Sequence, residues 1–303
     1  MEKDKIFDVI IIGGSYAGLS AAMSLGRSLK QTLVIDSGNP CNQKTPHSHN
    51  FLTQDGNTPK EISSLAKQQV EHYASVHFFE GFASEGVKKG NQFEVKTQSG
   101  HSFLGKKLIF ASGIKDIMPD IKGFSDCWGK TVIHCPYCHG YEFKNKKTGI
   151  FAQGDRAFHL ASLVNNLTNE LTILTSGPAS FSPEQSQTLK KHNIIVDERE
   201  IVEIEHQNGQ MQKVVFQNGE KLDLDALYAA VPFQQHSQIP MDLGCELNEQ
   251  GYIKTDMLQR TTVEGVYACG DNSSPMRSVA NAVHFGNFTG AVVNKELTEA
   301  LFN

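Results

Sequence analysis

Phe7-Asp8-Val9-Ile10-Ile11-Ile12-Gly13-Gly14-Ser15-Tyr16-Ala17-Gly18 is the stretch that decides how this chain folds. Apart from Asp8, Phe7 to Ile12 is apolar and rich in β-branched side chains, the pattern of a strand buried on both faces. A glycine-rich turn follows at once. Leu19 to Leu29 then carries apolar and small residues at helical spacing, and Thr32 to Ile35 reads as a second strand ending in Asp36. Strand, tight turn, helix, strand and acid, in that order, make a dinucleotide-binding unit. Gly13 permits the turn and Gly18 close packing of helix on sheet, while Ser15 stands where the pattern has its middle glycine. Gly13, Gly14, Ser15, Tyr16, Ala17 and Gly18 bring free amides and the positive end of a helix to a pyrophosphate. Asp36 is placed to accept from a ribose diol.

Further along, Gly265 to Cys269 reads as a short strand that runs into Gly270-Asp271, a second acid at a sheet edge suited to sugar hydroxyls. Ser278 to Leu297 reads as a helix broken near Gly286 and Gly290 that returns to the first domain, making that domain discontinuous. Between them lies a second, weaker nucleotide-like pattern: strand Thr148 to Ala152, turn Ala152-Gln153-Gly154, helix Phe158 to Leu167 and strand Leu171 to Leu174. That strand ends in Thr175-Ser176-Gly177, with neither an acid for a ribose diol nor arginines for a 2′-phosphate. An NAD(P)H site there is possible but degenerate. Residues 194 to 231 read as an antiparallel meander attached to the parallel sheet, with Asn218-Gly219 as a turn. Phe93 to Phe103 reads as an earlier hairpin. The links Ser112 to Pro119 and Pro232 to Pro240 are the candidates for an interdomain hinge. The expected fold is α/β, with two Rossmann-like three-layer domains. The smaller is inserted into the larger.

His134-Cys135-Pro136-Tyr137-Cys138-His139-Gly140 carries the chemistry. If a helical turn begins there, with Pro136 at its first position, the sulphurs of Cys135 and Cys138 fall on one side and can close a small ring. Amides at a helix start also acidify a thiol. His139 and His134 flank the pair and can move a proton near neutrality. A glycine-rich turn alone implies a nucleotide, and a CxxC alone implies two thiols. Together they imply electrons passing between a bound cofactor and a dithiol/disulphide pair. No metal is expected: a structural zinc needs four well-spaced ligands, and Cys41, Cys127, Cys245 and Cys269 supply no second CxxC. Cys41, in the loop after Asp36, and His47 and His49 are secondary candidates for the site.

Bulk properties narrow the classes. At 303 residues the chain reaches the size where one core stops growing, so two domains are expected. A net charge of -5 speaks against a nucleic-acid partner. No apolar run approaches the roughly 20 residues that span a bilayer, and the charged start Met1-Glu2-Lys3-Asp4-Lys5 is not a secretory signal. Six cysteines are too few for a disulphide scaffold, so reduced thiols and a cytoplasmic setting are the default.

On the Gly13 to Gly18 loop, the Cys135 to Cys138 dithiol and Gly270-Asp271, the chain resembles the low-molecular-weight thioredoxin reductase family, class II FAD-dependent pyridine nucleotide-disulphide oxidoreductases. The resemblance runs over essentially the whole sequence. It implies a homodimer. FAD would be held by residues 1–115 and 240–303, with Gly270, Asp271, Arg277, Ser278 and Val279 among its contacts, and residues 118–235 would form the inserted domain. It implies that Cys138 meets the flavin, that Cys135 exchanges with the substrate, and that the domains rotate between the two tasks. The partner would be a thioredoxin-like protein or a small-molecule dithiol or disulphide. Two departures stand out. The family usually has an acid where this chain has His139, and basic residues where it has Thr175-Ser176-Gly177. Cys135-Pro136-Tyr137-Cys138-His139-Gly140 looks more like the related flavin-dependent dithiol oxidases, which pass electrons from a small dithiol to dioxygen. The expected activity is thiol–disulphide oxidoreduction of the thioredoxin reductase type. The alternatives are such an oxidase and a non-enzymatic flavin-binding scaffold.

Overall fold

The computed structural model describes residues 5–302; Met1 to Asp4, read above as a charged lead-in, and Asn303 lie outside the described residues. The chain begins β1 (Ile6–Ile12), α1 (Tyr16–Arg27), β2 (Thr32–Asp36), α2 (Pro59–Glu71), β3 (Val76–Glu80), β4 (Ala83–Lys89), β5 (Gln92–Thr97), β6 (Ser102–Phe110) and β7 (Ile114–Asp116). It continues α3 (Phe124–Cys127), β8 (Val132–Ile133), α4 (Pro136–His139), β9 (Thr148–Phe151), α5 (Gly154–Val164), β10 (Leu171–Leu174), α6 (Pro183–Lys191) and β11 (Ile195–Asp197). Then come β12 (Ile201–Gln207), β13 (Gln210–Phe216), β14 (Lys221–Asp223), β15 (Ala226–Ala229), β16 (Phe233–Gln235), α7 (Ile239–Asp242), β17 (Val266–Ala268) and α8 (Val279–Phe302).

The first sheet runs β3-β2-β1-β6-β5-β4, with β17 joined to β6. β1 lies parallel between β2 and β6, Ile10 opposite Leu33 on one side and Leu108 on the other. On the edge away from β1, β6 is long enough to serve two partners: its start pairs antiparallel with β5, its last three residues in parallel with β17. The alternation along β1 feeds two cores. Val9 and Ile11 pack under α1 and α8, while Ile10 and Ile12 meet the β4–β6 meander and Ile239 of α7. The hairpin read at Phe93 to Phe103 is β5–β6.

α8 corrects one expectation. It is a continuous helix, unbroken at Gly286 and Gly290. A Cβ at Gly286 would lie 2.1 Å from the carbonyl oxygen of Ala17, and one at Gly290 would lie 2.7 Å from that of Ala21. These glycines let α8 press onto the backbone of α1, a reason for glycine that a single-sequence pattern does not separate from a helix break.

The second sheet is wholly parallel, in the order β11-β10-β9-β15-β8. The meander β12-β13-β14 is a separate sheet, not an extension of the parallel one. It joins through side chains: Ile204, Val214 and Phe216 share a core with Leu174 and Leu227. α5 starts at Gly154, four residues before the expected Phe158, because Gly154 takes a left-handed φ of +52° and turns the chain directly into the helix. The two links between the sheets pair as β7 with β16, Phe233 opposite Asp116 and Gln235 opposite Ile114. No helix among the described residues is long and apolar enough to cross a membrane.

Candidate active site

A cavity of about 620 Å³ opens above the C-terminal ends of β1 and β2 and reaches the dithiol. Its wall includes Gly13, Gly14, Ser15, Tyr16, Ala17, Asp36, Gly270, Asp271, Arg277, Ser278 and Val279. The glycine turn is built as the sequence suggests. Gly13 has φ +107°, where a side chain is strained, and a Cβ there would sit 2.2 Å from the carbonyl oxygen of Ala111. The Gly14 N–H donates to Asp36 Oδ1 at 3.1 Å and so orients that carboxylate at the cavity edge. Ser15 is the N-cap of α1 but makes no side-chain capping bond, which leaves the first amides of the helix open to an anion. Gly18 is the exception among the expected cofactor contacts. It is not in the wall, and a Cβ on it would meet the carbonyl oxygen of Gly13 at 1.9 Å. Its function is packing.

Three polar atoms around this cavity are buried without a hydrogen-bond partner: Ser112 Oγ, His134 Nε2 and Arg277 Nε. Each would cost about 1–3 kcal/mol if left unsatisfied. A polar, extended cofactor such as FAD meets that need, and the open helix start and the two acids Asp36 and Asp271 fit its pyrophosphate and sugar hydroxyls. Sequence reasoning overlooked α2, which lines the cavity with Pro59, Lys60, Ser63, Ser64 and Lys67. Its signal was present: Thr58-Pro59-Lys60-Glu61 forms a full capping box with proline at the first helical position.

The dithiol sits where α4 begins. Cys135 is the N-cap, its sulphur accepting from the Cys138 N–H at 3.2 Å, and Pro136 opens the helix. The two sulphurs are 2.7 Å apart. Cys138 lines the cavity and lies 4.0 Å from the carbonyl oxygen of Arg277; Cys135 is not in the cavity wall. A hydrogen bond from the Cys138 thiol, the amides of Cys138 and Tyr137, and the Arg277 charge hold Cys135 below the ordinary thiol range. Cys138 is pushed up, first by sharing that proton with Cys135 and then by burial. The pair is therefore asymmetric, with thiolate character on Cys135.

The histidines divide into distinct settings. Burial pushes His134 down to about 3, reinforced by the charges of Arg277 and His139. It stacks on Trp128 and is neutral throughout the physiological range. His139 lines the cavity and is lowered more gently by burial, with Glu142 opposing and His49 reinforcing the shift. His49, from the other sheet's loop, also lines the cavity, 3.5 Å from Glu142 Oε1. His47 does not line it; its Nδ1 meets the carbonyl oxygen of Gly56 at 2.9 Å. Cys41 is in the wall, 3.8 Å from Asp271 Oδ2.

Asp116, in the linking strand β7, is a site residue that no motif signalled. Its carboxylate takes the Arg277 guanidinium bidentately, at 2.8 and 2.9 Å, with side-chain exposures of 6% and 15%. Arg277 Nε in turn lies 3.7 Å from Asp271. One guanidinium thus ties the link, the cavity acid and the loop that touches Cys138. Asp116→Asn keeps the shape and removes the charge, and is expected to lower unfolding free energy by about 2 kcal/mol, the scale of a charge-assisted hydrogen bond. Urea denaturation of the cofactor-loaded protein measures it, and an unchanged midpoint would show that the pair adds nothing.

The second nucleotide-like turn is tied up by protein. Gln153 Nε2 donates to the carbonyl oxygens of Thr175 at 2.8 Å and Pro178 at 3.3 Å, and Gln185 Nε2 donates to Asp155 at 2.7 Å. Arg199, a cation near this end of the sheet, donates to Asp197 at 2.9 Å and is also engaged by Glu220. Arg199 is thus taken by acids, and Thr175-Ser176-Gly177 at the end of β10 carries no guanidinium for a bidentate phosphate contact. Reduction by NADPH and NADH is therefore expected to differ by less than about tenfold, equivalent to about 1.4 kcal/mol. Stopped-flow flavin reduction by each nucleotide checks this; a hundredfold preference for NADPH would mean that Arg199 or Arg156 swings into the turn. Among the described residues, no group of three or more His, Cys, Asp or Glu is arranged to hold a metal ion.

Residues 7–286 match the family model for pyridine nucleotide-disulphide oxidoreductases. The chain is similar to thioredoxin reductase tcpT of Claviceps purpurea (strain 20.1), 31% identical over 308 residues, covering 98% of this chain and 96% of the relative. It is 26% identical over 315 residues to the thioredoxin reductase of Bacillus subtilis (strain 168), covering 99% of each. Among solved structures it resembles an oxidoreductase from Agrobacterium tumefaciens, with a TM-score of 0.91 at 36% identity, covering 97% of this chain and 99% of that one.

Proposed function

Because the chain belongs to the pyridine nucleotide-disulphide oxidoreductase family, we propose that Cys135 and Cys138 relay electrons between its flavin and an external disulphide or dithiol. The protein is an FAD-dependent enzyme of the thioredoxin reductase type. The observation that carries the relay is that Cys138 lines the same cavity as the Gly13 to Ala17 turn, Asp36 and Asp271. The flavin, when bound, supplies a two-electron donor or acceptor at that cavity.

The chain's own residues do the rest. The open amides of α1 would hold the pyrophosphate of FAD, and Asp36 and Asp271 would take its sugar hydroxyls. Cys138 is the sulphur that faces the cofactor. Cys135, the more acidic sulphur, exchanges with the partner. When the thiolate of Cys135 attacks a partner disulphide, a mixed disulphide forms and the partner's second sulphur leaves with the electron pair. Cys138 then attacks the Cys135 sulphur, closing the internal disulphide and releasing the partner's remaining thiolate. His139 takes the proton of the attacking thiol and returns it when the disulphide reopens. His134 packs against Trp128 and keeps its ring neutral. We assign residues 1–115 with 240–303 to the cofactor domain and 118–235 to the inserted domain, with β7 and β16 as the hinge about which the dithiol swings between cofactor and partner. The likeness to thioredoxin reductases supports a homodimer. A reducing, cytoplasmic compartment suits Cys41, Cys127, Cys245 and Cys269, which have no disulphide partner.

The test is an anaerobic reductive titration of the purified flavoprotein. Dithiothreitol is expected to bleach the flavin through the Cys135–Cys138 pair. A flavin that NADPH bleaches while the dithiol stays electronically silent would overturn the relay. A second reading, oxidation of a small dithiol with dioxygen as acceptor, is favoured by the Gln153 tether over the nicotinamide turn. Bleaching by dithiol alone, with peroxide formed in air, is its signature.

A further inference from the structure

The cavity accounts for the unpartnered atoms of Ser112, His134 and Arg277, but not for those of Ser75, Tyr228, Gln235 and Asn272, of which Tyr228 pairs with the strand that leads into the dithiol. Tyr228, on β15 between β9 and β8, is 1% exposed, and its hydroxyl is buried without a hydrogen-bond partner. It is not in the cavity wall. A phenylalanine would fill the same core without the roughly 1–3 kcal/mol that an orphaned hydroxyl costs. Packing therefore explains the ring and not the oxygen.

The strand register places that side chain. Tyr228 stands opposite Ile133 of β8 and Ile150 of β9. Ile133 is two residues before Cys135. Both side chains belong to the core between the sheet and α5, with Ala157, Leu160 and Val164. The dithiol helix α4 rests on this same face: a Cβ at Gly140, its C-cap, would lie 2.5 Å from Leu167 Cδ1, just past α5. Tyr228 thus lies under the segment that carries the dithiol.

We propose that Tyr228 is a positioning residue for Cys135, its hydroxyl kept in the core to donate a hydrogen bond to the Cys135 sulphur whenever that sulphur carries charge. The donation runs directly after a small side-chain shift or through one bridging water, which is nearly as favourable as a direct hydrogen bond. Tyr228 keeps its own proton. Burial and the nearby charges of Cys135 and Glu142 hold its phenol above the ordinary range. It adds a further donor to the Cys138 thiol and the Cys138 and Tyr137 amides already on Cys135. The other ionisable groups that bear on Cys135 are Cys138 and Arg277, and Glu142 faces His49 and His139. The proposal rests on Cys135 being the exchanging sulphur.

The test uses the full-length flavoprotein with Cys138→Ser, so that Cys135 is the single thiol of the pair. Alkylation of Cys135 by iodoacetamide is followed against pH by peptide mass spectrometry, with and without Tyr228→Phe. Loss of a donor to the thiolate raises the thiol pKa. The midpoint is expected to rise by about one pH unit, and the rate at neutral pH to fall about tenfold, on the scale of one hydrogen bond to a charged group. Thermal stability is expected to hold or rise. Superimposed alkylation curves would overturn the proposal and leave the hydroxyl as an uncompensated defect. If Tyr228→Phe fails to retain flavin, the same curve is taken with 3-fluorotyrosine, a stronger donor, which is expected to move the midpoint down; no movement overturns the proposal. Failure of the underlying reading shows differently, as a Cys135 that is not alkylated in either protein.

Discussion

Cys138→Ser is expected to abolish the optical link between dithiol and flavin, while Cys135→Ser is expected to create one. The difference lies in which sulphur lines the cavity. Cys138 does, and Cys135 does not. With Cys135 replaced, Cys138 is the remaining thiol of the pair beside the flavin, and its thiolate should give a long-wavelength charge-transfer band. In the wild type the Cys138 thiol is held protonated first by its hydrogen bond to Cys135. That cause disappears in Cys135→Ser, but burial and Asp271 still favour the thiol, opposed by Arg277. The band should therefore grow as pH rises rather than be present at every pH. Thiol–disulphide turnover should fall by roughly a thousandfold or more in either variant, as for any residue that acts as part of a unit. Persistent turnover in either, or a band in Cys138→Ser instead, would reverse the assignment of the sulphurs.

His139→Gln is expected to slow the thiol half-reaction by roughly a hundredfold, the usual weight of one general acid–base group. The structure refines the pH at which this shows. Burial lowers the His139 pKa from its ordinary value, with Glu142 opposing and His49 adding to the shift. A histidine with a lowered pKa is a free base above that pKa and is lost as a base when pH falls through it. The acid limb of the wild-type profile should accordingly lie below the ordinary histidine value of 6.5, not in the pH 6 to 7 window of an unperturbed side chain. His139→Gln should remove that limb. His134→Gln should leave it in place, because a group pushed down to about 3 stays neutral across the whole window. A limb that survives His139→Gln would move the role to His49, the other histidine in the cavity wall.

Much of the site is legible in the linear chain because it is local. The turn at Gly13 needs φ +107° and a backbone that approaches Ala111, and glycine is the residue for both. Cys135 and Cys138 meet because four consecutive residues make one turn of helix, with Pro136 at its first position. The apolar runs of β1, β2 and β10 announce buried parallel strands, and the sheets follow from them.

What stayed hidden depends on groups far apart in sequence. Gly286 and Gly290 look like breaks until α8 is seen lying on the backbone of α1, where a Cβ has no room. The meander looks like part of the parallel sheet because alternation reports which face is buried, not which strand is the neighbour. Asp116 is an ordinary acid in a link until Arg277, far down the chain, closes on it from the cavity side. The two histidines beside the dithiol both flank it in sequence, and only the resemblance set His139 apart. Only the fold buries His134 against Trp128 and leaves His139 facing the cavity, and desolvation then separates their proton affinities. Residue type and local spacing determined the turn, the dithiol and the class of fold, because those are set by backbone sterics and short-range periodicity. Which sulphur faces the cavity, which histidine can titrate and what holds Arg277 were decided by tertiary structure, because burial and charge act through space.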